Sequence, residues 1–185
     1  MKPIYLRNIP PPTETFNHTE FLELLCKWLK PESYLEMGVR WAENFNRLSK
    51  LSIKAIGVDI NQCPVQVSDN VKFYLEDTDT FIKKCGKRNL KFDLVFIDAD
   101  HSFEQSLKDF IGISEYVIDD GFIILHDTYP YNEELLQPHF SNDVYKTALY
   151  IKNNLSDNFE ILTLPFNPGL TLIKKINKNK QMTWL

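Results

Sequence analysis

A chain of 185 residues is long enough for one domain with a real core and short for two. Its 43% hydrophobic and 25% charged residues are the balance of a globular protein, and a net charge of −4 argues against a nucleic-acid phosphate binder, which needs a basic face. No apolar run approaches the roughly 20 residues that cross a bilayer, and "MKPIYLRNIPPPTETF" lacks the apolar stretch of a secretion signal, so no membrane partner and a cytoplasmic location are expected.

In chain order, Pro10, Pro11 and Pro12 mark an extended arm, residues 1–18, before the domain proper. Thr19 offers an N-cap for "EFLELLCKWLK", where Phe21, Leu24, Leu25, Trp28 and Leu29 recur at helical spacing until Pro31. Strand and helix patterns then alternate: a strand over 33–38, a helix in "RWAENFNRLSK", a strand over 52–60, a short helix around 64–67, a strand over 71–76 and a helix from Thr78 to about Lys84. A fourth strand, "KFDLVFID", leads to a helix in "SFEQSLKDFIGISEYV" and a fifth strand, "GFIILHD". A polar and aromatic connection precedes a helix in "NDVYKTALYIKNNL" and two last strands, "FEILTLP" and "LTLIKKI". The domain is expected over 19–177, and the lysine-rich end, 178–185, as a solvated tail. Cys26, Cys63 and Cys85 lack the paired spacing of a zinc site and are expected to be reduced thiols.

Strands alternating with helices call for a mostly parallel sheet covered on both faces, an α/β, Rossmann-like, doubly wound architecture of seven strands. The last two strands are joined only by "FNPG", too short for a crossover, so a C-terminal antiparallel hairpin is expected. In such sheets ligands bind beyond the carboxyl ends of the strands, near the switch in strand order. The strand ends therefore carry the chemistry.

The first ends in Glu36 and Gly38, where a glycine allows close backbone approach; Gly38 is otherwise a simple turn residue. The second ends in Asp59, some 20 residues on, placed either to grip two ribose hydroxyls or to cap the next element. The third supplies Glu76, Asp77 and Thr78, with Thr78 or Asp79 a cap or a ligand contact. Asp98 and Asp127 follow neighbouring strands, so their carboxylates can converge, where two such groups repel unless a cation sits between them; the alternative is that Asp127 only shapes a turn. Oxygen ligands of this kind suit magnesium or calcium, and Thr128 adds a hydroxyl. Asp100 reads as a helix cap, His126 as a core histidine, and His101, past its strand end, as a base near neutral pH.

In the order "YLEMG", "GVDI", "FDLVFIDADHSFEQSLKDF", "DDGFIILHDT" and "NPGLTLIKK", the chain resembles class I S-adenosylmethionine-dependent methyltransferases over about residues 33–175. More narrowly it resembles the small-molecule O-methyltransferases of the macrolide-sugar and rhamnosyl branch. The resemblance implies S-adenosyl-L-methionine as cofactor, with Glu36 and Gly38 beside its methionine part, Asp59 on the ribose, Asp77 and Thr78 by the adenine, and Asp98 also in contact. It implies a divalent cation, Mg2+ or Ca2+, on Asp98, Asp127 and Thr128, and His101 with Asp98 as catalytic residues. The acceptor it implies is a hydroxyl of a sugar or other small molecule.

The chain departs from that pattern at Ala42, where the last glycine of E-x-G-x-x-x-G is expected, with Trp41 beside it. A catalytically decayed binding module or partner subunit is therefore the alternative, whereas a nicotinamide oxidoreductase is disfavoured by the missing G-x-G-x-x-G. With so short an N-terminus, either a second subunit of a homodimer completes the pocket or a large substrate approaches an open one. "YPYNEELLQPHF" is the candidate acceptor wall, or else an ordinary surface loop.

Overall fold

The computed structural model describes residues 17–165 and 168–176. The proline arm, the "FN" of the hairpin loop and the lysine-rich end lie outside the described residues.

Helix α1 (His18–Leu29) is capped by Asn17, whose side chain accepts from the Thr19 and Glu20 backbone amides. The expected cap, Thr19, is instead buried inside the first turn; an Asn two residues earlier caps the helix, because its side-chain carbonyl reaches the orphan amides of that turn. Strand β1 (Ser33–Met37) and helix α2 (Glu43–Leu48) follow, the latter running into a single 3₁₀ turn over Ser49–Leu51. After β2 (Lys54–Asp59) the chain passes through 64–67 without the expected helix: Asn46 pins it, giving its Nδ2 to the Pro64 carbonyl and accepting from the Gln66 amide. Four residues are too few to nucleate a turn against such contacts.

Strand β3 (Val71–Leu75), helix α3 (Thr78–Cys85), strand β4 (Phe92–Ile97) and helix α4 (Phe103–Ser114) come next. Strand β5 (Val117–His126) begins four residues before the expected start, because the Phe92 amide donates to the Tyr116 carbonyl and draws Val117 alongside. A register shift separates that pair from the main ladder with β4. Helix α5 (Tyr145–Asn154) and strands β6 (Phe159–Leu164) and β7 (Leu170–Lys175) complete the fold.

The sheet has seven strands in the order β3-β2-β1-β4-β5-β7-β6. Strands β1 to β5 pair in parallel, and β7 is antiparallel to both β5 and β6, as the short hairpin loop requires. Strand order reverses between β1 and β4, so the switch point lies between the ends of those two strands.

Alternation along each strand feeds two cores. Leu35, Met37, Val95, Ile97, Ile123 and Leu125 pack with Phe81, Phe110, Ile113 and Ile151 from α3, α4 and α5 on one face. Tyr34, Leu94, Phe96 and Ile124 pack with Leu22, Cys26, Phe45 and Leu48 from α1 and α2 on the other. This is why the parallel strands read as nearly unbroken apolar runs, and why the first polar residue of each marks the rim. The three cysteines are free and buried. Among the described residues no helix is long and apolar enough to cross a membrane.

Candidate active site

Three strand ends are tied together by backbone. Gly38 N donates to Val58 O (2.9 Å) and Asp98 N to Met37 O (2.8 Å). Gly38 has φ +89°, and a Cβ there would run into the carbonyl of Asp98 and the Cα of Ala99. Only glycine fits a left-handed position with backbone pressed against it. Next along the turn, Arg40 (φ +46°) and Ala42 (φ +58°) are also left-handed without being glycine. Ala42 is buried against the α1 and α2 side while Trp41 is 76% exposed, and neither lines the cavity described below.

Asp59 holds this turn from β2: one carboxylate oxygen accepts from the Val39 and Arg40 amides (2.9 Å each) and the other from the Asn61 amide (2.8 Å). Burial opposes its ionisation, but these amides outweigh it and keep its carboxyl below the usual range. Its four lone-pair sites leave capacity for a further donor. Glu36 lies one layer deeper, buried and away from the cavity, where its Oε2 accepts from Tyr34 OH (2.5 Å) and Asn44 Nδ2 (2.9 Å). Burial pushes its pKa up to about 8.

Asp77, not Thr78 or Asp79, is the N-cap of α3, accepting from Thr80 N (2.7 Å) and Thr80 Oγ1 (2.9 Å). Thr78 Oγ1 receives Gln105 Nε2 from α4 (3.3 Å). Asp100 turns the chain into α4 by accepting from the Ser102 amide, but the N-cap itself is Ser102.

At the ends of β4 and β5 four side chains face one another. His101 Nε2 is 3.3 Å from both Asp98 Oδ1 and Asp127 Oδ2, and His126 Nδ1 is 3.1 Å and 3.3 Å from the same two oxygens. Asp127 sits at φ +60°, a left-handed conformation that is costly for a residue with a Cβ and that clusters at functional sites. Ser141 Oγ donates to its other oxygen (2.8 Å), and the Phe140 carbonyl contacts His101 Nδ1. The hydrogen bond to Asp98 raises His101 to about 9, with Asp127 adding to the effect against burial. Burial works to raise Asp98, yet the charge of His126 and the bonds from both histidines hold it well below its ordinary value. His126 is likewise driven up by the two carboxylates in spite of its burial.

Gly38, Asp59, Asp77, Thr78, Asp98, His101 and Asp127 all line one cavity of about 930 Å³ on the carboxyl rim of the sheet. Leu135, Pro138, His139 and Phe140, from the stretch read as an acceptor wall, line it too. Two site candidates do not: Glu36, and Thr128, which is buried and accepts from Thr171 Oγ1 (2.8 Å) on β7. Asp98, His101 and Asp127 can present one ligand atom each, all within 4.8 Å of one another, a donor set that fits a divalent cation.

Sequence reasoning placed His126 in the core. It alternates with Leu125 onto the α1 face, but as the last residue of β5 it reaches the rim, half-buried, and lines the cavity. The signal was its position directly before Asp127. His18, which stacks 4.5 Å from the His126 ring, and Ser141 gave no comparable signal, because each reaches the site from a distant segment.

A family profile described as a methyltransferase domain matches residues 39–128. No curated protein matches the chain by sequence search. Among solved structures, an O-methyltransferase from Bacillus cereus in complex with SAH superposes with a TM-score of 0.64 at 14% identity, over 89% of this chain and 84% of that one. An SAH-bound methyltransferase from Podospora anserina gives 0.66 at 15% identity, over 94% and 85%. The MycE methyltransferase of the mycinamycin biosynthetic pathway, in complex with Mg and SAH, gives 0.64 at 15% identity, over 89% of this chain and 52% of that one. Likeness at such identity speaks for the fold. Residues 39–128 thus match a methyltransferase domain, and the seven-stranded sheet that carries them shares its fold with these methyltransferase structures.

Proposed function

We propose that the chain is an S-adenosylmethionine-dependent, cation-assisted O-methyltransferase acting on a hydroxyl of a sugar or other small molecule. The observation that carries this reading is that the ends of β1, β2, β4 and β5 bring Gly38, Asp59, Asp98, His101 and Asp127 around one cavity. The complexes of the structural neighbours with SAH, and of MycE with Mg, support it.

Gly38 leaves room for the methionine end of the cofactor, Asp59 accepts from the ribose hydroxyls, and Asp77 and Thr78 border the adenine. Asp98 and Asp127 would hold the cation, and the acceptor would rest against Pro138 to Phe140, which line the same cavity. When bound, the cofactor supplies an electrophilic methyl group and the cation lowers the pKa of the acceptor hydroxyl. His101 takes that proton at Nε2. In the metal-free state its elevated pKa keeps it protonated at neutral pH, held so by Asp98 and Asp127. With Asp98 and Asp127 engaged by a cation, the two carboxylates would no longer hold that proton on His101, which would then be free to act as the base. Gly38 and the backbone around Asp98 fix the line of approach of oxygen to the methyl.

The test is transfer of isotopically labelled methyl from S-adenosylmethionine to a panel of sugars and phenols, with and without divalent cations. Labelled ether is expected with cation present. Asp127→Ala is expected to lower turnover at least a hundredfold with SAH affinity within threefold of the parent; equal turnover in the variant or in EDTA removes the cation from the reaction.

A further inference from the structure

Resting on the reading that a cation sits between Asp98 and Asp127, we propose that His126 is its third, nitrogen ligand, and that the site therefore selects a transition cation of the manganese-to-zinc series over magnesium.

The argument is geometric. His126 Nδ1 lies 3.1 Å from Asp98 Oδ1 and 3.3 Å from Asp127 Oδ2. A cation about 2.0–2.2 Å from each donor, with ligand angles of about 90–105°, puts neighbouring donors about 2.8–3.5 Å apart. Both separations fall in that range, as do the 3.3 Å separations of His101 Nε2 from the same oxygens, so the surroundings of the two rings decide between them. As hydrogen bonds the two cannot both be good, since one ring N–H cannot point straight at two oxygens and the 3.3 Å contact to Asp127 exceeds the usual N–H···O distance.

The surroundings aim the three donors inward. The His126 ring is wedged between His18 (4.5 Å between centroids) and Phe96 (5.9 Å), and its other nitrogen, Nε2, is buried with no hydrogen-bond partner among the described residues. The two flanking rings hold its plane, and among the described residues only the two carboxylates bond a ring nitrogen, so Nδ1 is the atom turned to the cluster. Asp127 is fixed by its left-handed backbone and by Ser141 Oγ on Oδ1, which leaves Oδ2 for the cluster. Such outer contacts are what orient metal ligands. His101 differs: its side chain is 26% exposed against 11% for His126, so it stands on the open side where an acceptor enters and is left free to carry the proton.

Donor chemistry then decides the cation. Magnesium prefers an all-oxygen shell, whereas imidazole suits iron, nickel, copper and zinc, and affinity for such a site rises from manganese through iron and cobalt to nickel. A set of two carboxylates and one imidazole shifts preference away from magnesium.

The experiment uses the full chain stripped by chelator and titrated calorimetrically with Mg2+, Mn2+ or Co2+ alone, followed by pulsed EPR of the Mn2+-loaded protein. Co2+ is expected to bind at least tenfold more tightly than Mg2+, with nitrogen-14 coupling to Mn2+ present in the parent and in His101→Ala and lost in His126→Glu. The all-oxygen set of His126→Glu should also narrow the Co2+/Mg2+ ratio. Mg2+ binding as tightly as Co2+, coupling that survives in His126→Glu, or coupling that vanishes in His101→Ala each overturns the assignment. The parent and His101→Ala measurements decide even if His126→Glu does not fold. SAH titrated into the same stripped parent separates the two readings: SAH that fails to bind contradicts the methyl-transfer reading, while SAH binding with an oxygen-only cation signal contradicts the His126 assignment alone.

Discussion

Gly38 and His101 are the two residues on which the site's local physics turns. At Gly38 a side chain is excluded twice, by a left-handed backbone and by the Asp98 carbonyl. Gly38→Ala is expected to destabilise the fold by about 2 kcal/mol or more, since it combines backbone strain with a clash that only movement of β4 relieves. Urea unfolding measures it; a change under about 0.5 kcal/mol would mean the turn relaxes freely. His101 carries a pH dependence. Its pKa rises on folding from 6.5 to about 9, so the folded state favours the proton. The stabilisation is complete below about pH 6.5 and is lost as pH rises through about 9. Glu36, raised from 4.5 to about 8, gives a fall of the same sign over a lower window. The melting temperature in EDTA should therefore drop between pH 7 and 9.5, and less steeply above pH 8 in His101→Gln. A parental curve flat over that range would refute the His101 pairing.

The elements show what a sequence can and cannot reveal. Strands were legible because residues such as Leu94 to Ile97 and Ile123 to Leu125 are buried on both faces, and a polar residue at the end of such a run has nowhere to go but the rim. Asp59, Asp98 and Asp127 are placed on the rim in this way, and all three line the cavity. Caps were less legible: Asn17, Asp77 and Ser102 each have a neighbour of equal capping ability, and the choice depends on where the first turn meets the sheet. Glu36 and Thr128 lie deeper than the rim for a related reason, since alternation fixes the face of a residue but not its depth, and Tyr34, Asn44 and Thr171 draw these two inward. His126 was missed by the same rule in reverse. Helix α4 holds its place through Phe110 and Ile113, both fully buried. Phe110→Ala is expected to cost about 3–5 kcal/mol by urea unfolding, whereas Ser102→Ala, which removes only the cap, should cost about 1 kcal/mol. Comparable losses would mean that α4 is held by its terminus and not by its apolar face.

At the scale of the molecule, the parallel order β3-β2-β1-β4-β5 sends five strand ends to one edge, and reversal of strand order between β1 and β4 opens the cavity there. The antiparallel β7 closes that edge on the β5 side, and Thr171 and Gly169 support the segment that carries Asp127. That adenosyl chemistry belongs at this edge, with Asp59 as its anchor, is the claim from which the roles of the remaining residues follow. Calorimetric titration of SAH into the parent and Asp59→Ala, side by side, tests it most directly. The account predicts saturable binding to the parent and at least a tenfold weaker affinity in the variant, about 1.4 kcal/mol. No heat of binding at millimolar SAH, or equal affinity in the two proteins, would contradict it.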